Sequence, residues 1–256
     1  MRYYVFASGS KGNCTLISSS NRYLLIDNGL SHRAFKGHLS NINVDFEKIN
    51  TVLVTHKHSD HCIGLDIFQL ENIYSSKQTT VLLDENHELK PYKTYYLNGF
   101  KVTVIPTSHD ASGSIGFVIE DDNEKLVYVT DTGYLYDKVM DYLKDADYYI
   151  FESNHDVRML LATNRPQYLI DRIMGDKGHL SNEDSALYLS ELISSRTKEV
   201  VLAHLSEEAN TPELALSAFN KIMSKRCINI SSLSVRCASQ RTMLTGGNLE
   251  KEVING

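Results

Sequence analysis

The chain opens on short runs of apolar and β-branched residues cut by turn residues: Tyr3–Ala7, Thr15–Ser18 and Tyr23–Asp27. Such runs predict strands, and the SGSKGNC segment from Ser8 to Cys14 predicts a tight loop between the first two. Ser31–Ser40 has helical spacing behind a capping serine, and TVLVT over Thr51–Thr55 reads as a buried strand. Asp60–Leu70 carries a helical pattern, whereas Tyr74 and Thr80–Leu83 suggest extended pieces. Phe100–Ile105, Ile115–Glu120, Lys125–Thr130 and Asp147–Glu152 predict further strands, with a turn over Asp121–Glu124 and a helix over Tyr134–Leu143. In the second half, Pro166–Met174 and Glu183–Ser194 have helical spacing and Val200–Ala203 is a short buried strand. Thr211–Met223 predicts a helix with Thr211 as its cap and Pro212 in its first turn. Asn229–Leu244 reads as one or two closing strands. Strands and helices in both halves imply an α/β chain with two sheets and helices outside them, a four-layer αββα sandwich. No Pro- or Ser-rich linker divides the chain, so a single domain over residues 1–256 is the simplest organisation.

Composition narrows the class. With 42% hydrophobic and 23% charged residues, the 256-residue chain matches globular averages rather than a fibre or a disordered tail. Its apolar runs fall far below the ~18 residues that a membrane span needs, and its start lacks the pattern of a secretory signal. The four cysteines form no CxxC pair. That pattern is unlike a disulfide scaffold, so a reducing cytoplasm is expected. A net charge of −6 argues against a protein that coats duplex DNA. It leaves room for one that handles phosphates at a metal-loaded site.

The candidate chemistry begins directly after TVLVT, with His56-Lys57-His58-Ser59-Asp60-His61. At an extended strand end, residues 56 and 58 point the same way, so both imidazoles can reach one cation. Asp60 and His61 sit where the chain turns toward a helix and can face a second one. Imidazole and carboxylate together suit zinc, manganese or iron. A His in Thr107-Ser108-His109-Asp110, an Asp in Asp131-Thr132-Gly133 and His204 after VVLA each end a predicted strand. The ends of strands are where open sheets gather ligands.

The order His-x-His-x-Asp-His, a separate His, Asp-Thr-Gly and a final His resembles the hydrolases of the metallo-β-lactamase fold. More narrowly, SGSKGNC, ESNHD over 152–156, GHLSN over 178–182 and AHLSEEAN over 203–210 resemble the YycJ (WalJ) family, a bacterial branch related to ribonucleases Z and J. The resemblance implies two divalent metal ions, manganese or zinc. His56, His58, His109 and Asp131 would hold the first; Asp60, His61, Asp131 and His204 would hold the second, with Asp131 bridging. Two cations about 3.5–4 Å apart activate water and neutralise phosphate charge, and Asp60 is placed to orient that water. The family further implies a 5′-to-3′ exonuclease acting on DNA, at a single strand or a strand end.

The fold alone does not choose the bond that is cut. Glu152 and His179 resemble the carboxylate and histidine that serve the leaving oxygen in the ribonuclease relatives, a general-acid role. Ser181 and Asn182 stand at a predicted helix start, where free N–H groups can seat an anion and where plain capping is the alternative. Ser10 and Asn13 in the glycine-rich loop are candidate phosphate contacts, although an ordinary hairpin turn explains that loop as well; His155 is a candidate substrate contact. Arg158, Arg165, Arg172 and Lys177 gather between ESNHD and GHLSN, as a nucleic-acid groove or as a solvated helix face. The 15 tyrosines could supply stacking faces for bases. The stretch from Asp131 to His204 is too short to carry a second domain. Two rival functions remain: a thioesterase or lactonase of the same fold, and a metal-binding regulatory protein without turnover.

Overall fold

The computed structural model describes residues 1–79 and 85–248; the extended piece expected over 80–83 lies outside them. Chain order runs β1 (Arg2–Ala7), β2 (Cys14–Ser19), β3 (Arg22–Ile26), α1 (His32–Asn41), β4 (Val52–Val54), α2 (Ser59–Cys62), β5 (Ile73–Ser75), β6 (Thr94–Leu97), β7 (Phe100–Pro106), β8 (Ile115–Glu120) and β9 (Lys125–Val129). It continues with α3 (Asp137–Leu143), β10 (Tyr148–Glu152), α4 (Val157–Leu161), α5 (Gln167–Met174), α6 (Asn182–Leu192), β11 (Glu199–Ala203), α7 (Pro212–Lys225), β12 (Ser234–Cys237) and β13 (Leu244–Gly247).

Among the described residues the strands form two sheets. One has the order β13-β1-β2-β3-β4-β5, the other β12-β11-β10-β9-β8-β7-β6. The strand period of two decides which side chain meets which layer. Tyr3 and Val5 of β1 face the second sheet and pack with Ile17, Leu24, Val104, Phe117, Tyr128 and Ile150. Their neighbours Tyr4 and Phe6 face outward, against Phe35 and Leu39 of α1. On the far side, Val127, Phe151 and Leu202 meet Val139 of α3, Leu189 of α6 and Phe219 of α7. Helix, sheet, sheet and helix therefore stack as the αββα order expected from the sequence.

Caps fall where the sequence places them. Ser31 Oγ accepts from Ala34 N at 3.4 Å to open α1, and Thr211 caps α7 with Pro212 following. The expected Asp60–Leu70 helix is different: α2 ends at Cys62, and two short 3-10 turns, Leu65–Ile67 and Leu70–Asn72, follow. Asn28 clamps the peptide of Gly64, accepting from its N–H at 2.9 Å and donating Nδ2 to its carbonyl at 2.8 Å. A backbone held at that point by a remote residue cannot continue a helical ladder. The closing strands also divide: β12 pairs with β11 in one sheet and β13 with β1 in the other. Two elements carried too little pattern to be read, the half-exposed edge strand β6 and the one-turn α4, which Asp156 caps.

Candidate metal centre

Strands β9, β10 and β11 run parallel, so their C-terminal ends lie side by side. Asp131, Glu152 and His204 stand at those ends. The HKHSDH segment arrives from the other sheet, off the end of β4. Gly29 makes its approach possible: a Cβ there would lie 1.7 Å from the Asp60 carbonyl oxygen. Gly133 does the same for the loop before His179, since its Cβ would lie 2.4 Å from the Asp176 carbonyl oxygen. Three residues at these strand ends, Asp27, Asp131 and His204, adopt left-handed φ of 56°, 56° and 57°. Asp and His tolerate that region better than branched residues do, and the turn aims each side chain inward.

All seven expected ligands converge. Single donor atoms of His56, His58 and His109 lie within 4.8 Å of one another, as do those of Asp60, His61 and His204. Asp131 lies between the two groups. Its Oδ1 is 3.7 Å from His109 Nε2 and 3.5 Å from His204 Nε2, and its Oδ2 is 3.3 Å from His61 Nε2. Asp131 Oδ2 and His204 Nε2 are buried without a hydrogen-bond partner among the described residues. Buried polar atoms left unpaired carry a desolvation cost, and a cation between them, displacing the proton on His204, removes it. The residues therefore fit divalent metal, and the donor set of imidazole and carboxylate without thiolate suits manganese, zinc or iron. Cys62 turns away, donating Sγ to the His56 carbonyl.

Titration follows the same geometry. Burial, reinforced by His61 and offset only in part by Asp131, pushes His56 far below the ordinary imidazole range, so it is neutral, as a ligand must be. Burial would raise the Asp131 carboxyl, but His204 and His61 outweigh it and hold the group well below the carboxylate range. Burial would lower His204; Asp131 and Glu152 raise it to about 9.

The imidazoles are oriented by groups that the sequence did not single out. His61 Nδ1 lies 2.7 Å from Asp27 Oδ2, and Thr55 donates its N–H and its hydroxyl to the same carboxylate, both at 2.8 Å. Asp27 thus accepts the Nδ1–H hydrogen bond and turns His61 Nε2 toward the centre. His109 Nδ1 lies 3.2 Å from the Gly178 carbonyl oxygen. Asp110 Oδ1 lies 3.5 Å from His58 Nε2. An acid at the end of the strand LLID was the available signal for Asp27, but nothing local distinguishes it from a turn residue.

Glu152 is fully buried and acts on two histidines. Its Oε1 is 2.8 Å from His179 Nδ1 and 3.1 Å from His204 Nδ1, while Oε2 accepts from Thr132 N at 2.9 Å and Leu180 N at 3.2 Å. Burial works to raise its pKa; His179 and His204 outweigh that and hold it at about 2. An ionised Glu152 keeps both imidazoles in the tautomer that presents Nε2 outward. His179 lies on the wall of a cleft together with His109.

The other expected contacts separate. Asn13 is buried, and its Nδ2 lies 3.0 Å from His61 Nε2 and 3.0 Å from the Gly9 carbonyl oxygen, so it lines the centre while tying its loop. Ser10 is exposed at the loop tip. Ser181 is committed to capping α6: its Oγ accepts from Asp184 N at 3.1 Å and donates to Asp184 Oδ2. Asn182 is buried in a reciprocal amide pair with Asn210 and accepts from Ser153 Oγ. These two side chains hold the ends of β10 and α6 together, which favours the capping reading over an anion seat. His155 is buried and bridges to Ser181 through its backbone; burial lowers its pKa to about 4, and its Nδ1 has no hydrogen-bond partner. Of the basic cluster, Arg165, Arg172 and Lys177 line the cleft beside His179, whereas Arg158 is exposed on α4 outside that lining. Most tyrosines are core or half-buried; Tyr96 and Tyr168 are exposed at 80% and 74%.

Comparison with known proteins agrees with this geometry. The beta-lactamase superfamily domain matches residues 22–205. The chain is 32% identical over 238 residues to exodeoxyribonuclease YycJ of Bacillus anthracis, covering 88% of this chain and 90% of that protein. It is 34% identical over 228 residues to exodeoxyribonuclease WalJ of Streptococcus pneumoniae, covering 84% of this chain and 85% of the relative. Among solved structures, the metallo-beta-lactamase fold protein YhfI from Bacillus subtilis superposes with a TM-score of 0.69 at 18% identity, covering 96% of this chain and 99% of that one. Human tRNase Z, short form, superposes with a TM-score of 0.59 at 14% identity, covering 95% and 98%. The chain belongs to the beta-lactamase superfamily and, within it, to the family of the YycJ and WalJ exodeoxyribonucleases.

Proposed function

We propose that this protein is a two-metal-ion phosphodiester hydrolase, a 5′-to-3′ exonuclease that shortens DNA from a single strand or a strand end. The observation that carries the reading is the Glu152–His179 pair standing beside two groups of inward-facing ligands, with Asp131 between them. The names of the two relatives, both exodeoxyribonucleases, support DNA as substrate.

His56, His58, His109 and Asp131 would hold one ion; Asp60, His61, Asp131 and His204 would hold the other, as manganese or zinc. Bound there, the pair of ions would neutralise phosphate charge and lower the pKa of water. The chain's residues do the rest. Asp60, half-buried at the edge of the cluster, is placed to accept a proton from the attacking water. Asp27 and Glu152 hold His61 and His204 in register. In its doubly protonated form His179, with Nδ1–H held by Glu152, carries on Nε2 the proton it gives to the leaving oxygen. A thioester's thiolate leaves without a proton, whereas the sugar oxygen of a DNA strand is a poor leaving group that an aligned donor assists. No helix among the described residues is long and apolar enough to cross a membrane. The four unpaired thiols support a cytoplasmic location.

The test is metal analysis of the purified protein together with product sizing on end-labelled DNA. Two equivalents of metal and shortening from the 5′ end are expected. Metal without cleavage of DNA, but with turnover of an acyl thioester or a lactone, replaces this reading with the small-molecule one. A full metal complement without any turnover replaces it with a regulatory one.

A further inference from the structure

Next to the metal centre the surface opens into a cleft of about 450 Å³. His109 and His179 form one wall; Arg165, Arg172 and Lys177, from α5 and its flanking loops, form the other. Three cations on one cleft are unexpected in a chain of net charge −6. Each is held differently. Arg165 donates to Glu208 at 3.0 Å. Arg172 donates from Nε and Nη2 to one oxygen of Asp110, leaving Nη1 without a partner among the described residues. Lys177 makes no ion pair or hydrogen bond among the described residues.

Asp110 joins this wall to the metal centre. While Oδ2 grips Arg172, Oδ1 lies 3.4 Å from His109 Nε2 and 3.5 Å from His58 Nε2. The carboxylate fastens the guanidinium one residue away from the ligand groups, at the side of the cleft that His179 faces. A guanidinium engaged on one edge keeps its other edge for a planar or tetrahedral oxyanion. An ammonium with no acid of its own adds a mobile point charge beside it.

Resting on the nuclease reading, we infer that Arg172 and Lys177 form a subsite for a backbone phosphate of the DNA strand adjoining the bond that is cut. Asp110 positions Arg172 for that phosphate, and Arg165 marks the outer end of the same track. The subsite explains how an acidic protein grips a polyanion: the contact is confined to one walled cleft instead of a basic face.

The experiment uses the full metal-loaded chain and a fluorescein-labelled, 5′-phosphorylated, phosphorothioate-linked oligodeoxythymidylate, which carries the backbone charge and resists cleavage. Binding is read by anisotropy across a salt series. Arg172→Ala with Lys177→Ala should weaken binding about tenfold or more and flatten the log K against log salt slope by about 1.4, the decrement for two phosphate contacts on a single strand. Lys177→Ala alone, at an exposed side chain, should flatten it by about 0.7. The control removes the same charge from α7 through Lys221→Ala with Lys225→Ala and should change binding less than twofold. Equal losses in the cleft and control pairs, or wild-type affinity in the cleft variants, overturn the subsite while leaving the nuclease reading intact. A wild-type protein that neither binds the oligonucleotide nor shortens unmodified DNA overturns both.

Discussion

The parallel strands β9, β10 and β11 carry buried acids at both ends, and the two ends differ in what they leave unmet. At the N-terminal ends, every acid meets a fixed donor. Glu124 accepts from Tyr148 OH at 2.6 Å and Lys198 Nζ at 2.7 Å; Asp147 accepts from Arg196 Nη2 at 2.7 Å and the Lys125 N–H at 2.9 Å; Glu199 pairs with Arg236 and Tyr3. At the C-terminal ends Glu152 is met by Thr132, Leu180, His179 and His204, but Asp131 Oδ2 and His204 Nε2 stay buried with no hydrogen-bond partner among the described residues. The same sheet thus satisfies every acid at one edge and leaves one carboxylate oxygen and one imidazole nitrogen open at the other. The satisfied edge contributes to stability. The unsatisfied edge is a demand for a cation from outside the chain.

Removing the bridging carboxylate tests that contrast most severely. Asp131→Ala should lower DNA cleavage by about a thousandfold or more, the several kcal/mol of charge stabilisation that a metal pair contributes, and metal analysis should show substoichiometric occupancy. A variant with two bound ions would break the comparison. His179→Ala comes next. It should bind metal normally and lose turnover by about 10²- to 10⁴-fold, the usual share of an acid–base group; steady-state rates at wild-type metal content check this, and an undiminished rate removes His179 from the chemistry. Asp27→Asn reaches the centre through His61 and through the Thr55 hydroxyl, which lies 3.0 Å from His56 Nδ1. It should weaken metal affinity about 10- to 100-fold, measured by competition with a chelator, while melting temperature in excess metal stays near wild type.

The smallest effect belongs to the satisfied edge. Lys198→Ala should cost about 1 kcal/mol, discounted because the lysine side chain is half exposed, or roughly 2–4 °C in melting temperature. Cleavage should be unaffected. The pH dependence has a definite sign. Burial opposes ionisation of Glu124 and Asp147, but Lys198 and Arg196 hold both below the ordinary carboxylate range. Their contribution is present above a pH of about 4 and is lost as pH falls through the depressed values. The gap in melting temperature between wild type and Lys198→Ala should therefore be full at neutral pH and close in acid. A gap that widens in acid contradicts this account of the edge.

Some of the molecule was legible because its physics is local. Continuous apolar runs such as Tyr3–Ala7 read as strands since both faces of β1 are buried, and Ser31, Thr211 and Pro212 mark helix starts through geometry within one turn. The HKHSDH segment is equally local, with its donors confined to one strand end and the turn after it. Other features depended on remote partners. The helical spacing of Asp60–Leu70 is real, yet Asn28, far earlier in the chain, holds the Gly64 peptide and breaks the ladder. Ser181 and Asn182 offered donors for an anion, and Asp184 and Asn210 engage them. Asp27 closes a strand run and Asp110 merely follows His109 in the sequence; His61, His58 and Arg172, which give them their roles, lie elsewhere in the chain.

Residue order alone determined the four-layer arrangement and the identity of the donor groups, because periodicity, caps and clustered imidazoles act over a few bonds. Only the folded chain decided which proton each imidazole carries, which acids are neutralised and which remain unsatisfied. Those properties are set by distances of about 3 Å between groups tens of residues apart, and a hydrogen bond at that range is invisible until both strand ends share one space.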